Sequence, residues 1–245
     1  MFPEIEEVGL PFLTTAQMVE VDRAMVEDYG ILLIQMMENA GRNLAHLGRM
    51  RFLSGGPQGK RIAVLAGVGG NGGGALVCAR RLKNWGAEVQ VFVTKPEAQL
   101  TEVPRHQLGI VEAMNIPVRV GAPPAAAVFD LVVDGIIGYN LKDAPRGTAA
   151  DMIRWSTAQP APVLALDTPS GVDATTGSTF DPVVHATATM TLALPKEGLR
   201  AHSVRAQVGE LYLADISVPP ELYRRPPLHL QVPALFSQSD IVRVI

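Results

Sequence analysis

Hydrophobic positions in this chain follow two patterns that take turns. Met18, Val21, Met25 and Tyr29 recur at helical spacing on a segment that stops at Gly30, and Leu33, Met36, Met37, Ala40 and Leu44 stripe the next segment in the same way. Thr14 with Gln17 three residues later reads as a capping box that opens the first helix. Short, continuous apolar runs rich in β-branched residues then predict strands beginning near Arg61 and over 88–94, 117–120, 128–133, 163–166, 187–194 and 209–215. Helical segments fall between them, after Gly74 and over 103–114 and 149–157. Two leading helices and then alternating strands and helices predict an α/β fold with a doubly wound, mostly parallel sheet. The chain is expected to be one domain over 1–245, with its core over about 14–215 and a proline-bearing extension over 217–245 that packs loosely on the surface or against a partner. The end of that extension is either a terminal strand or a relic of a fusion junction.

The strand beginning at Arg61 runs into the most informative stretch. From Gly67 to Gly74 only Val68 and Asn71 carry side chains, so a ligand can approach bare backbone N–H groups. Ala75, Ala79 and Leu82 follow at helical spacing. Strand, glycine loop and helix N-terminus make an anion site suited to phosphate. Gly67, Gly69 and Gly72 satisfy G-x-G-x-x-G, but the following strand ends in Thr94 and Lys95 where a dehydrogenase needs a carboxylate for the ribose. A tight turn joining strand to helix is the plainer alternative. Two later strands deliver Asp134 and Asp167, the second within Asp167-Thr-Pro-Ser170-Gly, so three stretches converge at the carboxyl ends of the sheet. Each Asp alone could also cap the turn that follows it.

Composition narrows the class. With 245 residues, 47% of them hydrophobic, the chain can bury a large core. A net charge of −3 without basic runs argues against nucleic acid and anionic membranes as partners. The acidic start lacks the n- and h-regions of a signal peptide, and the single cysteine, Cys78, forms no internal disulfide, so a reducing, cytoplasmic location is expected. Cys78 is expected to be buried, and Glu38 and Asn39 to lie on a solvated helix face. Five scattered histidines show no metal-ligand spacing. The methionine-rich helices offer a packing face, and a homodimer is expected from it.

Five stretches in order carry a resemblance: Met37-Glu-Asn-Ala-Gly41, the glycine loop, Val133-Asp134 followed by Gly138, Asp167-Thr-Pro-Ser-Gly-Val-Asp173, and Leu194-Pro-Lys-Glu-Gly-Leu199. In these the chain resembles the YjeF N-terminal domain family, the NAD(P)H-hydrate epimerases. The resemblance implies a three-layer α/β/α Rossmann-like fold and an isomerase that interconverts the R and S hydrates of NADH and NADPH (NADHX and NADPHX). A separate dehydratase would then restore one epimer. It further implies a potassium ion held by Asn71, Asp134 and Ser170, a dinucleotide facing Asn71, Gly72, Gly73 and the segment from Gly138, and Asp167 beside the hydrated ring as acid or base. The family loop usually reads Asn-Asn-Gly-Gly-Asp-Gly, and Gly74 stands where its Asp would be. A carboxylate at the mouth of the site could relay protons, so its loss opens a second reading: a nucleotide-binding module with impaired catalysis, acting through a protein partner. Asn140 replaces what is often a small residue.

Overall fold

The apolar runs form strands buried on both faces. The computed structural model of the chain describes residues 2–54 and 56–245, so Met1 of the acidic start lies outside the described residues. Its strands are β1 (Glu4–Ile5), β2 (Arg61–Ala66), β3 (Glu88–Val93), β4 (Val118–Val120), β5 (Leu131–Gly135), β6 (Val163–Leu166), β7 (Ala188–Leu192), β8 (Glu210–Ala214) and β9 (Ile241–Val244). The helices are α1 (Thr15–Glu27), α2 (Leu33–Phe52), α3 (Gly70–Asn84), α4 (Glu102–Ala113), α5 (Gly147–Thr157), α6 (Arg205–Val208) and α7 (Pro220–Arg224). One sheet holds the strands in the order β1-β9-β8-β7-β6-β5-β2-β3-β4. Every neighbouring pair is parallel except β8 with β9.

Side chains alternate across that sheet with the period of two that a strand imposes. Ile62, Val64 and Ala66 of β2 enter a core shared with Met25, Leu44, Leu76 and Leu108 of α1 to α4. Ala63 and Leu65 point the other way, to Met152, Ile153 and Trp155 of α5. Helices thus cover both faces, giving the three-layer α/β/α arrangement. The capping box forms as expected, with Thr14 Oγ1 accepting from Gln17 N–H and Gln17 Oε1 accepting from Thr14 N–H. Cys78 is buried, and burial raises its thiol pKa.

Several expectations need correction. The stretch 67–74 is not loop throughout, because α3 begins at Gly70. Val128 is exposed and the Asp130 carboxylate accepts from Arg61 N–H at 2.8 Å, so β5 starts only at Leu131 and contains Asp134. The C-terminal extension is not a loose cover. β9 completes the sheet against β8, with Ile241 and Val242 buried, and Leu222 and Tyr223 of α7 join the main core. Glu38 is half-buried instead of fully solvated; it pairs with Arg80 and Arg81 and ties α2 to α3. Met18, Met25, Met36 and Met37 are buried within the chain, whereas Met50 of α2 is exposed.

The closest helix contact is between α2 and α3. A Cβ on Gly41 would overlap the Gly74 carbonyl and Val77 Cβ, so only glycine lets the two backbones meet there. Gly41→Ala is therefore expected to lower stability by about 1–3 kcal/mol, the range for overpacking a tight core, measured as a shift in the urea midpoint at unchanged slope.

Candidate active site

From β2 the chain runs outward to β3 and β4, then returns to the other side of β2 as β5 and runs outward again to β8. That reversal is a topological switch point, and it opens a crevice beyond the carboxyl ends of β2 and β5. The two strand ends lie backbone against backbone. Gly67 N–H donates to the Gly135 carbonyl at 3.0 Å, and a Cβ on Gly67 would overlap the Ile136 carbonyl. Gly72 in turn packs on the Gly67 backbone with no room for a side chain. α3 therefore starts abruptly, with no side-chain cap, and the N–H groups of Gly70, Asn71 and Gly72 find no acceptor among the described residues. Thr101 fixes the loop by donating from its N–H and its hydroxyl to the Val68 carbonyl, at 3.1 and 2.9 Å.

Gly70 and Asn71 border a cavity of about 420 Å³. Its walls include Met18 and Asp22 of α1, Val68 to Asn71, Ile136 to Asn140 and Asp167. A cavity of the same volume under α7 is lined mainly by prolines and apolar side chains, with Asp215 and Tyr223 its only titratable groups.

Asp167 follows β6 with φ +66°, a left-handed conformation that an L-residue other than glycine adopts at a cost of about 1–3 kcal/mol. Its N–H donates to Met190 O at 2.7 Å, which locks the turn to β7. Its Oδ1 accepts from the Leu192 N–H at 3.3 Å and from the Lys196 ammonium. Lys196 is fully buried, and its other donors reach Leu192 O at 2.8 Å and Thr191 Oγ1 at 3.3 Å. Oδ2 of Asp167 has no donor among the described residues, which leaves it for a ligand. The turn that carries Lys196 is clamped by the N-terminal segment: Leu13 N–H donates to Pro195 O and Glu197 N–H donates to Leu13 O.

A second acidic pair shares the cavity. The Tyr139 hydroxyl donates to Asp22 Oδ2. Burial raises the Asp22 carboxyl pKa, against the hydrogen bond from Tyr139 and the charge of Lys196, which lower it. Burial, and then the charge of Asp22, raise the Tyr139 phenol. Thr15 at the start of α1 donates its hydroxyl to the Tyr139 carbonyl at 3.3 Å, so helix and loop hold one another.

Asp134 and Ser170 meet one layer deeper, outside the cavity lining. Asp134 Oδ1 accepts from Ser170 Oγ at 2.7 Å and Ile136 N–H at 3.1 Å, and Oδ2 accepts from Ser170 N–H at 2.9 Å. Asp134 has no ion-pair partner among the described residues, and burial pushes its pKa up to about 6. Asn71 donates from Nδ2 to Leu166 O at 3.0 Å and turns Oδ1 towards Gly138, whose Cα leaves space beside that amide. Thr168 Oγ1, in the same turn as Ser170, is buried without a partner.

Among the residues singled out in the sequence, Asn71, Gly138 and Asp167 line the cavity. Gly72 is buried against the Gly67 backbone and is not among the residues that line it, and Gly73 lies in the helix packing, its Cα facing Met37, Val103 and Pro104. Gly74 is placed differently from what was expected. A side chain there would leave the cavity and point at Leu166, Ala40 and Met37, with its Cβ 2.8 Å from Leu166 Cδ2. The expectation of a lost proton relay at the mouth of the site is thereby corrected. The sequence reading gave no role to Asp22, Tyr139 or Lys196. Asp22 did leave a signal, since it stands four residues after Met18 beside an apolar helix stripe.

Gly74→Asp is expected to lose stability by about 2 kcal/mol or more, because it pushes a carboxylate among apolar side chains, and to gain no activity; thermal melting and turnover read the two effects. Asp134 gives a pH signature. Its carboxyl rises from the usual 3.8 to about 6 on folding, so the folded chain holds the proton more tightly than the unfolded one. Stability is then expected to fall as pH rises from about 4 to 6 in potassium-free buffer, by up to roughly 1.4 kcal/mol per pH unit, and Asp134→Asn is expected to remove that slope.

Comparison with known proteins agrees with this architecture. The family described as YjeF-related protein N-terminus matches residues 33–198. An NAD(P)H-hydrate epimerase of Dehalogenimonas lykanthroporepellens is 41% identical over 224 residues, covering 91% of this chain and 89% of that protein. The bifunctional NAD(P)H-hydrate repair enzyme Nnr of Moorella thermoacetica is 37% identical over 218 residues, covering 86% of this chain but only 41% of the longer protein. The crystal structure of yeast ynu0 superposes with a TM-score of 0.80 at 24% identity, over 96% of this chain and all of that one, and shows the same fold. With a family match over most of its length and a relative this similar end to end, the chain belongs to the family of YjeF-related protein N-termini.

Proposed function

We propose that this chain is an NAD(P)H-hydrate epimerase, an isomerase that interconverts the R and S hydrates of NADH and NADPH. The observation that carries the reading is Asp167, held by a buried lysine in a strained turn, lining the same switch-point cavity as Gly70 and Asn71 at the start of α3. The N–H groups at Gly70 and Asn71 suit a phosphate. The apolar side chains of Met18, Leu33, Met37 and Ile216 suit the face of a reduced ring.

Epimerisation at the hydroxyl-bearing carbon can proceed by loss and return of water. The C–O bond breaks as the oxygen takes a proton, and the ring-nitrogen lone pair closes a C=N bond. Water then adds and gives up a proton. Asp167 is the acid–base group beside that carbon, and Lys196 positions it. The relative from Moorella thermoacetica is named bifunctional, which fits an epimer passed on to a second activity, here a separate dehydratase.

Potassium fits the oxygen atoms present. Asp134 is a buried carboxylate with no cationic partner, Asn71 Oδ1 accepts no hydrogen bond from the described residues, and Ser170 adds a hydroxyl. These three would hold the ion, which when bound supplies the missing positive charge beside Asp134. Since Met18, Met25, Met36 and Met37 are buried within the chain, a homodimer would have to use other surface. The binding-only reading has likewise lost the observation that favoured it, because Gly74 faces the core. Among the described residues no helix is long and apolar enough to cross a membrane.

The test follows purified R and S hydrates of NADPH by NMR, with potassium and with sodium in its place. Interconversion above the spontaneous rate is expected, and Asp167→Asn should slow it by about 10²–10⁴-fold. A rate equal to the blank would sink the epimerase reading.

A further inference from the structure

Asp167 alone leaves half of an epimerisation without a proton carrier. Water departs from one face of the ring carbon and must return to the other, and each face needs a group that gives or takes a proton there. The same cavity holds one further proton-bearing pair, on elements unrelated to the first. Asp22 comes from α1 and Tyr139 from the loop after β5, whereas Asp167 follows β6 and Lys196 follows β7. Asp22, Tyr139 and Asp167 all line the cavity.

The two pairs are neighbours that remain separate. Lys196 directs its ammonium donors to Asp167, Thr191 and Leu192, and its Nζ lies 5.9 Å from the centre of the Tyr139 ring without bonding the hydroxyl. The Tyr139 hydroxyl donates a hydrogen bond to Asp22 Oδ2, and Asp22 Oδ1 has no donor among the described residues. Each pair therefore ends in one carboxylate oxygen that is free to meet a ligand. A purely structural tie between α1 and the loop would not require Asp22 to line the cavity as well.

We propose that Asp22, supported by Tyr139, is the second acid–base group of this site and serves the ring face that Asp167 does not. The proposal rests on the epimerase reading. A hydroxyl on the Asp167 face leaves as water with a proton from that side, and the ring nitrogen supplies the pair for C=N. Water on the other face then forms the new C–O bond, returns the electron pair to nitrogen and passes its surplus proton to Asp22. One proton is given and one taken, and nothing is oxidised or reduced. In the reverse direction the two carboxylates exchange roles.

Oxygen-18 water separates this from a structural role. Each purified hydrate is incubated with the full chain in ¹⁸O-enriched water, and label uptake and epimerisation are followed by mass spectrometry and NMR, with the uncatalysed rates subtracted. In the unaltered protein both epimers are expected to take up label and interconvert. Asp22→Asn should slow interconversion by about 10²–10⁴-fold, while one epimer alone still exchanges its oxygen, because the Asp167 face continues to release and recapture water. Asp167→Asn should leave the opposite epimer exchanging. Tyr139→Phe keeps the ring in place and should weaken the same epimer's exchange as Asp22→Asn, which keeps the proposal open to test if the Asp22 variant does not fold. Equal losses of exchange from both epimers in the Asp22 and Tyr139 variants, or no loss, would overturn it. An unaltered chain that neither epimerises nor exchanges overturns the epimerase reading itself, and this proposal with it.

Discussion

A lysine ammonium with no exposed surface is tolerable only beside a compensating charge, and the pairing of Lys196 with Asp167 is the constraint around which the rest of the site is arranged. Removing either partner would strand the other in a medium that solvates it poorly. The pair explains several features at once. It holds Asp167 in a left-handed turn that is unfavourable by itself. It needs Thr191 and Leu192 of β7 as further acceptors, which ties the turn after β6 to the neighbouring strand. It also accounts for the N-terminal segment pairing through Leu13 with the turn at Pro195 to Glu197, since that segment covers the lysine. α1 starts directly after this clamp, which sets the position of Asp22.

The other side of the crevice is governed by absence of side chains. At Gly67 and Gly72 the backbones of β2, β5 and α3 come too close for a Cβ, and at Gly41 the same holds between α2 and α3. A glycine run therefore does two jobs that sequence cannot separate. Gly70 and Asn71 border the cavity with N–H groups that have no acceptor among the described residues, while Gly72 packs on the Gly67 backbone and Gly73 and Gly74 pack into the helical layer. The departure from the usual family loop at position 74 falls in the second group, where a side chain would meet Met37, Ala40 and Leu166.

Much of the fold was legible because burial on both faces of a parallel sheet admits only apolar residues, and such runs declare themselves from 62 to 214. β1 and β9 were not. Each is short, Glu4 and Arg243 are paired across nearly the whole chain, and nothing local says that residues so distant form one sheet edge. The site divides in the same way. Asp167 and the glycine turn lie at strand ends, where the fold class itself directs attention. Asp22, Tyr139 and Lys196 acquire meaning only from partners on other elements, and Lys196 was visible merely as one letter in a family motif.

The charges around the cavity also separate two tasks. The positive end of α3 and its free N–H groups stand at the glycine turn, suited to the phosphates of a dinucleotide. Two carboxylates, Asp22 and Asp167, face the part of the cavity proposed for the ring, against a single lysine whose donors are all engaged within the protein. On the proposed route the ring becomes a cation when water leaves, since its nitrogen lone pair has gone into C=N. Fixed negative charge at that point favours the transient species over either neutral hydrate, which is the condition for lowering a barrier instead of merely tightening binding. The same carboxylates would repel phosphate, which on the proposed reading directs the phosphates to the glycine turn and the ring to the carboxylates. Orientation and catalysis then follow from one distribution of charge, set by the switch point on one side and by the buried lysine on the other.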